Sequence, residues 1–134
     1  MAFHHFLRLL LEDRPIPVYG DGQQTRDFTF VDDIVEANFL ALQTPVVGEA
    51  FNIGGGTTVT LHEAIGVCQE VSGKRAQLDM RPVEKGDVRQ TLADVGRARQ
   101  HLAYAPKVGL REGLAAEWRW VYDLYGRHGG RQQA

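Results

Sequence analysis

Helical and extended patterns alternate along this chain, and that alternation limits its 134 residues to a mixed α/β or α+β architecture. In MAFHHFLRLLLEDRP, Phe3, Phe6, Leu7, Leu10 and Leu11 recur at helical spacing until Pro15 and Pro17 stop the helix. IPVYG follows as a short strand closed by a glycine turn, and RDFTFV alternates Phe28 and Phe30 against Asp27 and Thr29 as a second strand. The two can pair as a hairpin across a long loop. Asp32 or Asp33 can cap the next helix, DIVEANFLALQ, whose Ile34, Val35, Asn38, Phe39 and Leu42 cover one stripe. EAFNIGG is a third strand with glycines at its exit. Thr60 and Glu63 have capping-box spacing, so LHEAIGVCQEVSG is a helix ending at Gly73. QLDMRPV is a further strand, and GDVRQTLADVGRARQHLAY holds a short extended piece and a helix. GLREGLAAEWRWVYDLYG is a long closing helix with Leu114, Trp118, Val121 and Leu124 inward. Residues 1–126 form one unit, and 127–134 are expected to be a disordered tail.

The charge balance narrows the partners. A formal net charge of −2, with signs interspersed, gives no broad basic face for nucleic acid or anionic lipid, so neither is expected. The single cysteine, Cys68, lies in an apolar helical pattern, which leaves no disulfide framework and no metal-ligand spacing and fits a reducing cytoplasm. His4, His5 and Arg8 break the apolar run of the first helix, so it does not read as a targeting segment.

Several constellations invite a functional reading. Gly54, Gly55 and Gly56 follow a strand and precede a helix, as a phosphate cradle would, but Thr57, Thr58 and Val59 intervene before the helix cap and no Walker lysine follows. A structural turn is the better reading. His4 and His5 are adjacent and point in different directions on a helix, which excludes an i,i+4 metal pair. Cys68 has no neighbouring cation in sequence to lower its pKa and reads as a core residue. Arg26 is different. Held at a strand start after the turn GDGQQT, its guanidinium can bind a phosphate bidentately, or it can close an ion pair with Asp21 or Asp27.

The order of these pieces carries a resemblance. IPVYGDGQQTRDFTFVDDIVEANFLAL, EAFNIGGGTTVTLHEAI, GDVRQTLADVGRARQHLAYAPKVGLREGL and the final helix resemble, in sequence, the nucleotide-sugar epimerases and dehydratases of the extended short-chain dehydrogenase/reductase superfamily, in the manner of UDP-glucose 4-epimerase. The resemblance covers nearly the whole chain. It implies an α/β fold that is the C-terminal, substrate-binding portion of a Rossmann-type enzyme, a small mixed sheet with flanking helices. It also implies that Pro17, Val18 and Tyr19 contact the nucleotide base and that Arg26 contacts the diphosphate. Gly86 and Asp87 match the family's Arg-x-Gly-Asp stretch, which touches phosphate and ribose, but Glu84 stands where the arginine would be. Lys85, Arg81 or Arg89 would then supply that charge.

What the chain lacks matters as much. The family's glycine-rich cofactor turn precedes everything seen here, and its catalytic tyrosine has a lysine four residues on. Here Gln23, Val108, Gly126 and Gly129 stand four residues after Tyr19, Tyr104, Tyr122 and Tyr125. No catalytic, cofactor-binding or metal-binding residue is assigned. The implied function is binding of a nucleotide-diphosphate sugar as part of an NAD-dependent epimerase or dehydratase, inactive alone, with NAD held by an upstream cofactor domain or the whole completed by a dimer mate. The alternative is a catalytically empty module that binds a nucleotide diphosphate or a protein. On this reading the first helix and EAFNI pack against the absent domain, so the isolated chain should expose an apolar patch there.

Overall fold

The computed structural model describes residues 2–84, 86 and 88–126. Helix α1 (Ala2–Leu11) buries Phe6, Leu7, Leu9 and Leu10. Its C-terminal end is capped from a distance, because Lys74 Nζ donates to the Leu11 carbonyl at 3.1 Å and to Asp13 Oδ1 at 2.8 Å. A cation there complements the helix dipole. Strand β1 (Ile16–Tyr19) turns Ile16 and Val18 inward, fully buried, and Pro17 and Tyr19 outward. Ile16 and Gly20 donate N–H bonds to Gln77 and Arg81, so the donor missing at Pro17 falls on the side that the ladder does not use.

The remaining elements are β2 (Thr25–Asp27), α2 (Val31–Gln43), β3 (Thr58–Thr60), α3 (Leu61–Ser72), β4 (Leu78–Arg81), α4 (Gly96–Leu102) and α5 (Leu110–Tyr125). β1 pairs in parallel with β4, Tyr19 opposite Arg81, and β2 pairs antiparallel with β3, Arg26 opposite Val59. The hairpin of β1 with β2 therefore does not form. Each strand instead finds a partner far along the chain, and Thr25 also bridges Gln90 in parallel.

Two apolar clusters result. Helices α1, α3 and α5 pack together over β1, with Leu7, Val18, Cys68 and Val121 completely enclosed. A smaller cluster joins Ala37 of α2 to Val95, Ala98, Leu102 and Tyr104, with Phe51 and Ile53 against it. The Thr60–Glu63 capping box is present with both of its reciprocal bonds, and Gly73 closes α3 in the left-handed conformation, φ +67°.

The structure corrects several other expectations. EAFNI is not a strand: no neighbouring strand pairs with it among the described residues, and Phe51 and Ile53 pack on the smaller cluster instead. β2 stops at Asp27, because Phe28 leaves the ladder to pack its ring 4.4 Å from that of Phe3. The residue capping α2 is Phe30, which makes no side-chain cap; Asp33 is drawn inward to other partners. Leu124, expected inward, is 44% exposed, and Trp118 is partly buried. α1, expected to lack a covering surface, is buried by α3 and α5. The apolar face left open belongs to α2, where Val31, Val35, Phe39 and Leu42 are exposed and only Asp33 and Ala37 are buried.

Candidate functional site

The turn between β1 and β2 is built around two left-handed glycines, Gly20 at φ +76° and Gly22 at φ +69°. Asp21 Oδ1 accepts from the Gln23 N–H at 3.0 Å, and Gln24 Nε2 donates to the Tyr19 carbonyl at 3.0 Å. The start of α3 latches onto the turn. His62 Nε2 lies 2.9 Å from the Asp21 carbonyl, while the Leu61 and His62 N–H groups donate to Gln24 and Gly22. A Cβ at Gly22 would stand 2.3 Å from His62 Nε2, so the latch requires glycine there as much as the backbone angle does.

The Arg-Asp pair that follows is divided between two tasks. Asp27 accepts the Gly55 N–H at 2.8 Å, the Ala93 N–H at 3.3 Å and the Gly56 N–H at 3.4 Å, tying β2 to the glycine run and to the segment entering α4. A Cβ at Gly55 would fall 2.4 Å from the Phe28 carbonyl oxygen, so the run is shaped for close backbone approach. The donors a pyrophosphate would need from this run are turned onto a carboxylate, and the described residues do not fit a dinucleotide there. Arg26, half-buried on the next position of β2, donates from Nη1 to the Thr25 carbonyl at 2.8 Å.

The sequence candidates are brought together in part. Val18 is fully buried, which leaves only its backbone accessible from the outer face of β1; Pro17 and Tyr19 are half-buried on that face. The β1–β4 register sets Arg81 against Tyr19: its guanidinium carbon lies 5.7 Å from the ring centroid and Nη1 donates to the tyrosine hydroxyl at 3.3 Å. Arg81 is also clamped by Asp79, from Nε at 2.8 Å and Nη2 at 2.7 Å, and the carboxylate first, then Tyr19, hold the guanidinium pKa above its ordinary value. Arg89 Nη2 reaches Asp21 Oδ2 at 3.4 Å. Asp21 is held below the usual carboxylate range by the Gln23 N–H and then by Arg89. Gly86 lies in a turn at φ +96° beyond β4, and Lys85 and Asp87 lie outside the described residues.

Two organising residues have tasks that the sequence did not reveal, Asp33 having read as a helix cap and Tyr104 having read as nothing in particular. Asp33, only 3% exposed, accepts the Lys107 N–H at 2.8 Å and the Val108 N–H at 3.2 Å, fastening the start of α2 to the loop before α5. Tyr104 donates its buried hydroxyl to the Gly54 carbonyl at 2.9 Å, and burial, followed by Asp33 and Asp27, raises its pKa. This tyrosine is structural. Cys68, enclosed in the larger cluster, has its thiol pushed up to about 12 by burial. A cleft of about 250 Å³ between Phe28, Thr57, Val59 and residues 106–110, and another of about 300 Å³ beside Asp27 and Thr91, are lined by neither Tyr19 nor Arg26. No three metal-ligating side chains gather among the described residues, and no described helix is long and apolar enough to cross a membrane.

Comparison with known proteins places the chain in a family. The profile of the GDP-mannose 4,6-dehydratase family matches residues 3–116. A UDP-glucuronate 4-epimerase of Thermodesulfobacterium geofontis is 33% identical over 121 residues, covering 90% of this chain and 37% of that protein. A UDP-glucose epimerase named YtcB, from Bacillus subtilis, is 35% identical over 126 residues, 93% of this chain and 40% of its own length. Among solved structures, UDP-glucuronic acid 4-epimerase from Bacillus cereus, in complex with UDP-glucuronic acid and NAD, superposes with a TM-score of 0.88 at 39% identity, over 93% of this chain and 40% of that one. The chain thus spans about 40% of the length of such relatives. With residues 3–116 of its 134 matched by that family's profile, the chain belongs to the GDP-mannose 4,6-dehydratase family, among the NAD-dependent nucleotide-sugar epimerases and dehydratases of the extended short-chain dehydrogenase/reductase superfamily.

Proposed function

We propose that this chain is the C-terminal, substrate-binding portion of an NAD-dependent nucleotide-sugar epimerase or dehydratase, inactive without the remainder. The observation that carries the reading is the division of labour at the Arg-Asp pair. Asp27 is committed to backbone N–H groups on one face of β2, and strand alternation turns Arg26 to the other, where a bidentate guanidinium can receive a diphosphate. Tyr19 and the backbone of Pro17 and Val18 flank the base, and Gly86, with Lys85 and Asp87, flanks ribose and phosphate. NAD, present in the superposed Bacillus cereus epimerase, is held by the rest of the enzyme, since the glycine run here is committed to Asp27. The exposed apolar face of α2 supports a further body packing on this one, because a stripe of four large side chains is a recognition surface rather than an ordinary solvent face.

The test is UDP binding by the chain and by Arg26→Ala. The variant should fold like the parent, within about 0.5 kcal/mol for a side chain outside the core. Its affinity for UDP should fall by on the order of 1.5–3 kcal/mol, the value of a hydrogen bond to a charged group. A variant that loses stability and keeps its affinity per folded molecule would make Arg26 an internal partner and remove the site.

A further inference from the structure

A diphosphate brings at least two negative charges, and one guanidinium does not match them. Glu84 stands where the resembled pattern has an arginine, so among the described residues a second cation would come from another position. Arg81 is already occupied: three of its nitrogen contacts go to Asp79 and the Tyr19 hydroxyl, and its guanidinium carbon lies 5.7 Å from the centre of the Tyr19 ring. Arg89 is placed differently.

The placement follows from the ladder that residues 89–91 form along the free edge of β2. Thr25 donates its N–H to the Arg89 carbonyl at 2.9 Å and accepts from the Thr91 N–H at 3.2 Å, while the Asp27 N–H donates to the Thr91 carbonyl at 3.1 Å. Thr25 therefore stands opposite Gln90. Side chains alternate along each strand, so Arg26 and Arg89, each one residue off that pair, project from the same face. Strand spacing and rise place their Cα atoms about 8 Å apart, a gap that two arginine side chains can close on one ligand. Asp27, on the opposite face, does not intervene. The Arg89 side chain is 79% exposed and rests on Asp21 across a 3.4 Å contact between two exposed groups. Asp21 keeps its Oδ1 bond to the Gln23 N–H whether or not Arg89 stays, so the turn does not depend on the pair.

We propose that Arg89 is the second diphosphate ligand of this chain, closing on the substrate together with Arg26 across the β2 edge, and that Asp21 is the counter-ion it leaves when the ligand arrives. This rests on the reading that the chain binds a nucleotide-diphosphate sugar. It places the positive charge two residues beyond the Gly-Asp pair rather than before it, and so accounts for a carboxylate being tolerated at position 84.

The experiment titrates the 134-residue chain with UDP and, separately, with uridine, by ligand-observed NMR, with melting curves run on every variant. Arg89→Ala should weaken UDP roughly tenfold or more, as for loss of a charge-assisted contact, while uridine binding stays unchanged. Arg89→Lys should recover part of the loss, because the charge remains and the fork does not. Asp21→Asn, which keeps the turn's acceptor and removes the competing charge, should tighten UDP. If Arg26→Ala weakens UDP and Arg89→Ala leaves the preference for UDP over uridine intact, the inference falls and the proposed site stands. If the parent chain binds UDP no better than uridine, both fall together.

Discussion

Replacing Asp27 by alanine should unfasten three segments at once, and its cost can be worked from the contacts. The carboxylate holds the Gly55 N–H at 2.8 Å, within the range of a strong bond, and the Ala93 and Gly56 N–H groups at 3.3 and 3.4 Å, near the limit. Taking about 2 kcal/mol for the short charged bond and about 0.5 kcal/mol for each long one gives a loss of about 3 kcal/mol. In a domain of this size that lowers Tm by on the order of 10 °C. Asp27→Asn should recover only part, since its amide keeps one acceptor oxygen and turns a donor toward N–H groups that also donate. Arg26→Ala, one residue away on the other face, should move Tm by no more than roughly 2 °C. Thermal and urea melts followed by circular dichroism would decide it. An Asp27→Ala variant that melts with the parent, or an Arg26→Ala variant that falls as far as Asp27→Ala, would refute the division between a structural carboxylate and a ligand-facing guanidinium.

Other expectations follow from single features. Thr60→Ala removes half of the capping box of α3 and should cost about 1 kcal/mol, read from urea unfolding at unchanged slope. The Cys68 thiol is held protonated to about 12, whereas the unfolded thiol ionises from about pH 8.5, so the native state keeps a proton that the unfolded state has lost and stability should fall as pH rises between those values. A Cys68→Ala variant should show a shallower decline over that window, and in the parent the thiol should react with a thiol-specific dye only on denaturation. Phe39→Asp and Leu42→Asp replace side chains 61% and 83% exposed, so each should leave stability within about 0.5 kcal/mol of the parent while reducing dye binding and self-association in light scattering. A large loss of stability would mean that the face is already covered within the chain.

Local chemistry alone set much of this protein. The first helix ends at Leu11, ahead of the prolines that bar its continuation, the Thr60 and Glu63 spacing starts α3, Gly73 ends it, and the alternation around Ile16 and Val18 makes a strand, because each of these depends on contacts within a few residues. The Arg-Asp pair after a glycine turn was legible in the same way, as a motif. Pairing was not. Which strand lies beside which depends on closure over long loops, so β1 took β4 and β2 took β3 with residues 89–91 on its other edge, a choice that no local pattern in GDGQQT records. The same limit hid the tasks of the carboxylates. Asp27 and Asp33 read as a strand polar residue and a helix cap, yet both are drawn to backbone N–H groups 28 to 75 residues away, since a partly enclosed donor without an acceptor is costly and these were the acceptors within reach. EAFNI shows the converse. Its pattern is that of a strand, but a strand exists only beside another, and the described residues place none next to it. Only the tertiary structure brings Arg89 to the face of Arg26, because that depends on a register, and register is a property of two segments rather than of either one.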